Sequence, residues 1–406
     1  ANNKIIAIDA TEHLKKTCSA QQELTLENHV LIPGLINAHG HSPMSIFRGF
    51  ADDMPLQPWL EEKIWPAESQ WVSEEFVRDG ATLAIAEMLR GGTTAFTDMY
   101  FFPEEIAKVT LGANIRTQLA SPVLDFPTAY AQDADEYIRK ATELNDRYKN
   151  NNMVLVAFGP HAPYTVSDKP LQHISTLANE LEIPIHIHIH ENTQEVADAV
   201  AQHGKRPLER LNDLGLLSHL LQCVHATQLE DTEIELMASA GVTVVHCPAS
   251  NAGLASGMCR TQDILDAGIN LCIGTDGAAS NNELNMFNEM RLAALFGKTC
   301  TNNASATSAW DVLTMATVNG ARAMGMEDAL GTLAVGKLAD CVAVDLDHLN
   351  SQPVYDPVST LVYSAQASQV NYVWVDGRLS VANGEVLTVD SEAIKSRAAE
   401  WASKIH

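Results

Sequence analysis

Basic residues are scarce in this 406-residue chain: 26 lysines and arginines stand against 51 aspartates and glutamates, a formal net charge of −25. No basic run exceeds two residues. A nucleic-acid partner or an anionic membrane surface is excluded on that ground, because both need basic patches that displace counterions. Long apolar runs are lacking too. No stretch of eighteen uncharged apolar residues exists, and the N-terminus shows no basic region followed by an apolar core, so a membrane span and a secretory leader are not expected. Paired cysteine motifs are absent: Cys18, Cys223, Cys247, Cys259, Cys272, Cys300 and Cys341 are odd in number and nowhere spaced C-x-x-C. Reduced thiols in a cytoplasmic protein are the expectation. The chain begins in a strand-like run, Lys4-Ile5-Ile6-Ala7-Ile8, so residues before Ala1 are expected.

What is present is an enzyme-sized globular chain, 46% apolar. Its most informative feature is His39-Gly40-His41, which follows the apolar run Val30–Ile36. In an extended strand, side chains at i and i+2 share a face, so two such imidazoles can grip one ion. Three later apolar runs end in residues that bind a metal or activate water: Ile183–Glu191, Leu220–His225 and Leu271–Asp276. Together they make metal chemistry the leading reading.

Strand-like runs at 30–37, 93–99, 115–120, 153–159, 183–190, 220–226, 241–247 and 269–275 alternate with helix-like stretches, including one capped by Ser73 and stopped at Gly91-Gly92. Eight alternations predict a (β/α)8 TIM barrel over 34–328, with its chemistry at the C-terminal strand ends. Short strands and the hairpin signals Asp376-Gly377 and Asn383-Gly384 predict a small β-sandwich module from 1–33 and 329–390, followed by a helix over 391–406.

In such a barrel His39, His41, His188 and Asp276 converge, a donor set suited to one Zn2+ with a position left for water. His225 is placed to hydrogen-bond that water and Glu191 to protonate a substrate. On strand five, His186, His188 and His190 alternate; His188 is preferred because Glu191 follows it by three, His186 reads as a hydrogen-bonded lumen residue, and His190 either supports a ligand from behind or is a spectator. The bland alternatives are a solvated loop carboxylate for Glu191 and a satisfied core histidine for His225.

These residues carry a resemblance. Pro33–His41, the His188-to-Glu191 spacing, His225 and Thr275-Asp276-Gly277 resemble the amidohydrolase superfamily. Arg48–Leu56, Trp59-Leu60, Ile64–Glu68, Phe158–Tyr164 and the tail segment Gly331–Asp340 are similar to the 5′-methylthioadenosine/S-adenosylhomocysteine deaminases across nearly the whole chain. Gly40 stands where threonine is common in that family. The resemblance implies one zinc on His39, His41, His188 and Asp276. It implies proton transfer to N1 of adenine by Glu191, and His225 with Asp276 as holders of the attacking water. Glu68 would bind the ribose and His161 the purine; a helix-cap acid and a strand-end structural histidine are the alternatives. Arg116 matches a position that binds the homocysteine carboxylate, or else forms a buried ion pair. A nucleoside substrate and a homo-oligomer are implied as well. The aromatic residues Trp59, Trp65 and Phe47 fit either a substrate lid or a subunit contact. The rival activity is s-triazine chlorohydrolysis on the same metal site, which Glu191 and Glu68 disfavour. A ligand-free structural barrel is disfavoured by the complete donor set.

Overall fold

The computed structural model describes residues 3–405; residues 1, 2 and 406, the outermost positions of the expected module and terminal helix, lie outside the described residues. Strands β1 (His29–Pro33) and β2 (Leu35–Gly40) divide the first apolar run between two sheets. The expected single strand over 30–37 therefore breaks at Gly34. A Cβ on Gly34 would lie 1.9 Å from the Thr94 hydroxyl oxygen, so only glycine lets the chain pass from one sheet to the other so close to its neighbour.

The larger sheet is parallel and runs in strict chain order: β2, β3 (Thr93–Asp98), β4 (Arg116–Val123), β5 (Val154–Pro160), β6 (Ile185–Ile189), β7 (Leu221–His225), β8 (Thr243–His246) and β9 (Asn270–Ile273). Both faces of the parallel sheet are covered, so β2, β3 and β4 are buried at every position, including the polar residues that make up half or more of β3 and β4. The barrel closes where the Asp276 amide donates to the His39 carbonyl at 3.0 Å. Gly274 allows that approach, since a Cβ there would lie 2.6 Å from the His39 nitrogen.

The helix Glu74–Arg90 begins as expected, with the Ser73 hydroxyl accepting from the Phe76 amide at 3.3 Å. The terminal helix Ser391–Ile405 docks on it: Arg397 and the Trp401 indole both donate to Asp79, and the Phe76 and Trp401 rings meet edge to face.

The module takes the form of one antiparallel sheet in the order β1, β10 (Cys341–Asp345), β11 (Val370–Val375), β12 (Arg378–Ala382) and β13 (Glu385–Val386). The strand expected at 4–8 is reduced to a bridge between Lys4 and Leu338. Beside it the Gly336 amide donates to the Ile5 carbonyl at 2.8 Å, and Ile6 and Ile8 are exposed. The module covers the N-terminal end of the barrel: the Gly34 amide donates to Asp340, and the Asn114 side chain donates to the Val375 carbonyl and Ser380.

Candidate active site

At the opposite, C-terminal end, five strands deliver histidines and carboxylates to one point. His39 and His41 come from the end of β2, His161 follows β5, His188 and Glu191 come from β6 and its exit, His225 ends β7, and Asp276 follows β9. His225 and Asp276 have φ of +73° and +64°. Left-handed backbone at non-glycine residues costs free energy, and here it turns the chain sharply where each strand reaches the site.

Asp276 Oδ1 lies 3.3 Å from the Nε2 of both His39 and His41. His188 Nε2 is 3.2 Å from His39 Nε2. The donor atoms of His39, His188 and His225, and those of His39, His41 and Asp276, lie within 4.8 Å of one another. His225 Nε2 also faces Glu191 Oε1 at 3.8 Å, the contact that separates it from the other imidazoles.

The second nitrogen of each ring shows why the Nε2 atoms converge as lone-pair donors. His41 Nδ1 faces the Met99 carbonyl at 2.5 Å and His188 Nδ1 the His161 carbonyl at 2.7 Å. A carbonyl only accepts, so both Nδ1 atoms carry the proton and both Nε2 atoms are left as donors to a cation. His225 Nδ1 is held in the same way by Asn251 Oδ1 at 2.8 Å. His39 is set by a longer relay. Gln222 gives its amide N–H to the Ala323 carbonyl, which turns its oxygen to His186 Nδ1 at 2.7 Å. His186 then accepts from His39 Nδ1 at 2.8 Å. The carboxylate is fixed too, with Asp276 Oδ2 accepting from Ser250 at 2.6 Å and Ser280 at 3.1 Å. Imidazole nitrogens plus one carboxylate, each locked from behind, fit Zn2+.

Burial governs the electrostatics. It pushes His39 and His188 well below the usual imidazole range. Burial acts on His41 in the same direction, but in the metal-free cluster its contact with Asp276 outweighs it and raises His41 to about 9, so a bound cation displaces a proton from that Nε2. Burial also raises Asp276, yet His39 and His41 hold that carboxyl well below its ordinary value. Glu191 is raised by burial and by the Asp276 charge, against the pull of His225 and His41. Glu68 is pushed up to about 7 by burial, although Tyr100 donates to it at 2.7 Å. His161 falls to about 4 through burial.

The cluster opens into a cavity of about 470 Å³ walled by Glu68, His161, His188, Glu191, His225 and Asp276 on its polar side. Trp59 and Trp65 also line it, on a helical stretch over 56–71 that passes through a π-helical turn at Trp59–Ile64. Phe47 does not: it is fully buried against Phe50 and Phe76. Arg116 stands apart from the cavity. It begins β4 at the barrel's other end, where it donates to the Asn152 carbonyl and lies 3.5 Å from Asp340 and 3.8 Å from Asp376. A residue at the start of a barrel strand cannot reach a site at the strand ends, so the buried ion pair is the reading of Arg116 that the geometry contains.

Sequence reasoning missed Asn251, Ser250 and Gln222. The first two had a signal, since Pro248-Ala249-Ser250-Asn251 directly follows β8 at the productive end of the barrel.

The sequence profile of the amidohydrolase family matches residues 30–380. The chain belongs to the amidohydrolase family. Among amidohydrolases, it is 48% identical over 405 residues to a 5-methylthioadenosine/S-adenosylhomocysteine deaminase of Teredinibacter turnerae, covering 100% of this chain and 92% of that one. The crystal structure of an adenosine deaminase from Xanthomonas campestris with bound zinc superposes with a TM-score of 0.99 at 45% identity, over 100% of this chain and 92% of that one. An atrazine chlorohydrolase of Arthrobacter aurescens shares the fold at 24% identity, with a TM-score of 0.92 over 99% and 94% of the two chains.

Proposed function

We propose that this amidohydrolase is a zinc-dependent deaminase that replaces the C6 amino group of adenine nucleosides, 5′-methylthioadenosine, S-adenosylhomocysteine and adenosine, with oxygen and releases ammonia. The observation that carries the reading is the meeting, on one cavity wall, of the locked imidazole and carboxylate donors with Glu191 and Glu68. The deaminase names of the relatives and the zinc in the Xanthomonas structure support it.

His39, His41, His188 and Asp276 would hold the zinc. When bound, the ion supplies Lewis acidity that brings the pKa of a water near 7. His225 and Asp276 orient the attacking water and accept its proton. Glu191 gives a proton to N1 of the ring, which drains charge as oxygen adds at C6; burial keeps that proton available. The C6–N bond then breaks, the amino group leaves as ammonia with the proton first taken from water, and the proton left on the new C6 hydroxyl returns to Glu191 as the C6 carbonyl forms. Glu68 accepts from the ribose hydroxyls and His161 packs against the purine. Both are fixed beforehand, Glu68 by Tyr100 and His161 by Thr165 at 3.1 Å.

The test is ultraviolet detection of adenine-to-hypoxanthine conversion by zinc-loaded protein on the three nucleosides and on free adenine. Conversion of the nucleosides but not the base is expected; no conversion of any with zinc bound would reject the reading. Cytoplasmic location and a homo-oligomer belong to the same proposal. Seven free cysteines support the first and the family resemblance the second; light scattering measures the assembly.

A further inference from the structure

Away from the donor cluster one part of the cavity wall is apolar, although Ser69, Thr128 and Gln132 also line the cavity. Leu60, Ile64 and Trp65 face it from one side, and Leu124, Phe126 and Pro127 face it from the loop after β4. The two sides touch where the Trp65 and Phe126 rings meet edge to face, 6.4 Å between centroids. Trp65 lies three residues before Glu68 in the helix Trp65–Trp71, hence on the same face, so the indole neighbours the carboxylate assigned to the ribose.

Three carboxylates, Glu68, Glu191 and Asp276, line the cavity, and no lysine or arginine does. Lys63, in the cavity-lining stretch Trp59–Ile64, is exposed and does not line the cavity, and four further cations of the surrounding elements are engaged elsewhere. Arg48 pairs with Glu87 and donates to the Asn282 carbonyl. Arg210 pairs with Asp168 and donates to the carbonyls of Pro163 and Val166. Lys140 sits over the Tyr130 ring and donates to the Tyr130 carbonyl. Arg116 is at the far end of the barrel.

Resting on the deaminase reading above, we infer that the cavity selects its nucleoside by the hydrocarbon character of the 5′ group. Uncharged thioether and deoxy tails are preferred to the 5′ hydroxyl of adenosine and to the amino-acid tail of S-adenosylhomocysteine. A methylthio group leaves water for an apolar and aromatic wall, which is favourable in proportion to the area buried. A hydroxyl gains less there, because the side chains of Leu60, Ile64, Leu124, Phe126 and Pro127 offer it no hydrogen-bond partner in exchange for water. The homocysteine tail carries a carboxylate beside its ammonium group, and the cavity lining offers that carboxylate no guanidinium, the group best matched to hold it. Trp65 and Phe126 are the specificity-determining pair.

The experiment measures kcat/KM for 5′-methylthioadenosine, 5′-deoxyadenosine, adenosine and S-adenosylhomocysteine with one zinc-loaded preparation. The methylthio substrate should exceed adenosine and S-adenosylhomocysteine by tenfold or more, with the deoxy compound between; a smaller margin over either overturns the inference and leaves the deaminase reading intact. No turnover of any nucleoside rejects both. Calorimetric binding of the products 5′-methylthioinosine and S-inosylhomocysteine should give the same order, and the reverse order overturns it. Phe126→Arg and Ala129→Arg place a guanidinium on exposed cavity-lining positions. At least one should raise S-adenosylhomocysteine relative to 5′-methylthioadenosine by tenfold; an unchanged ratio in both variants removes the wall from the selection.

Discussion

At the N-terminal end of the barrel Arg116 is fully buried and faces Asp340 and Asp376, whereas at the C-terminal end His39, His188, Glu191 and Asp276 are nearly as deeply buried yet point at a common centre. Burial alone therefore does not distinguish scaffold from site. The distinction lies in direction. The Arg116 guanidinium ends its hydrogen bonds on protein oxygens, while the imidazoles spend their Nδ1 protons on Met99, His161, His186 and Asn251 and leave their Nε2 lone pairs with one focus.

The most severe way to break that contrast is Asp276→Ala, which removes the carboxylate from the focus. It should lose bound zinc, measured by elemental analysis, and lower kcat/KM by about 10³-fold or more, because metal polarisation contributes several kcal/mol. Glu191→Gln keeps the focus but removes the proton donor. Zinc content should stay at the wild-type level while turnover falls by about 10²–10³-fold; full activity would remove Glu191 from the chemistry. Arg116→Met tests the other end. Leaving the buried Asp340 without its cation should cost about 3–5 kcal/mol of stability in urea denaturation. Zinc content and kcat/KM per folded molecule should not change.

The smallest effect sharpens the comparison through pH. Glu289, which lies behind the site and accepts from Ala249 and Asn281, is raised by burial to about 8, as is Glu195, which accepts from the His190 and Glu191 amides. The folded state keeps protons on these groups that the unfolded chain releases above its ordinary carboxyl pKa. Their stabilisation is thus complete below about pH 4.5 and is lost as pH rises toward 8. Each contributes at most about 1.4 kcal/mol per pH unit in that window. Glu289→Gln should flatten the slope of metal-free stability between pH 5 and 8 by about one proton's share, read from urea midpoints.

The barrel was legible because parallel strands buried on both faces write themselves as apolar runs at regular spacing. The donors were legible because they fall where those runs end: His39, His188, His225 and Asp276 all stand at or just beyond a strand end. Local pattern does not encode what lies across the barrel. The run Val30–Ile36 gives no sign that it serves two sheets, and the side chain that leaves no room for a Cβ at the crossing point Gly34, that of Thr94, lies sixty residues away. Arg116 was ambiguous for a similar reason. Its partners Asp340 and Asp376 come from the module, and only the register of β4 shows which end of the barrel it occupies. Gln222 reads as one more strand residue until His186 and Ala323 are placed on either side of it.

The pairing of β1 with β10 brings residues 29–33 against 341–345. On the ribosome, the first strand of the small sheet must wait while roughly 300 further residues are made, about 15 s to a minute at 5–20 residues per second. The barrel is in effect an insertion within the module, and its lower end stays open until the last strands emerge. Through that interval Arg116 remains hydrated, and its ion pair with Asp340 and Asp376 is among the last contacts to form. A nascent chain halted before Cys341 would carry every residue of the active site and still lack the floor on which the barrel stands.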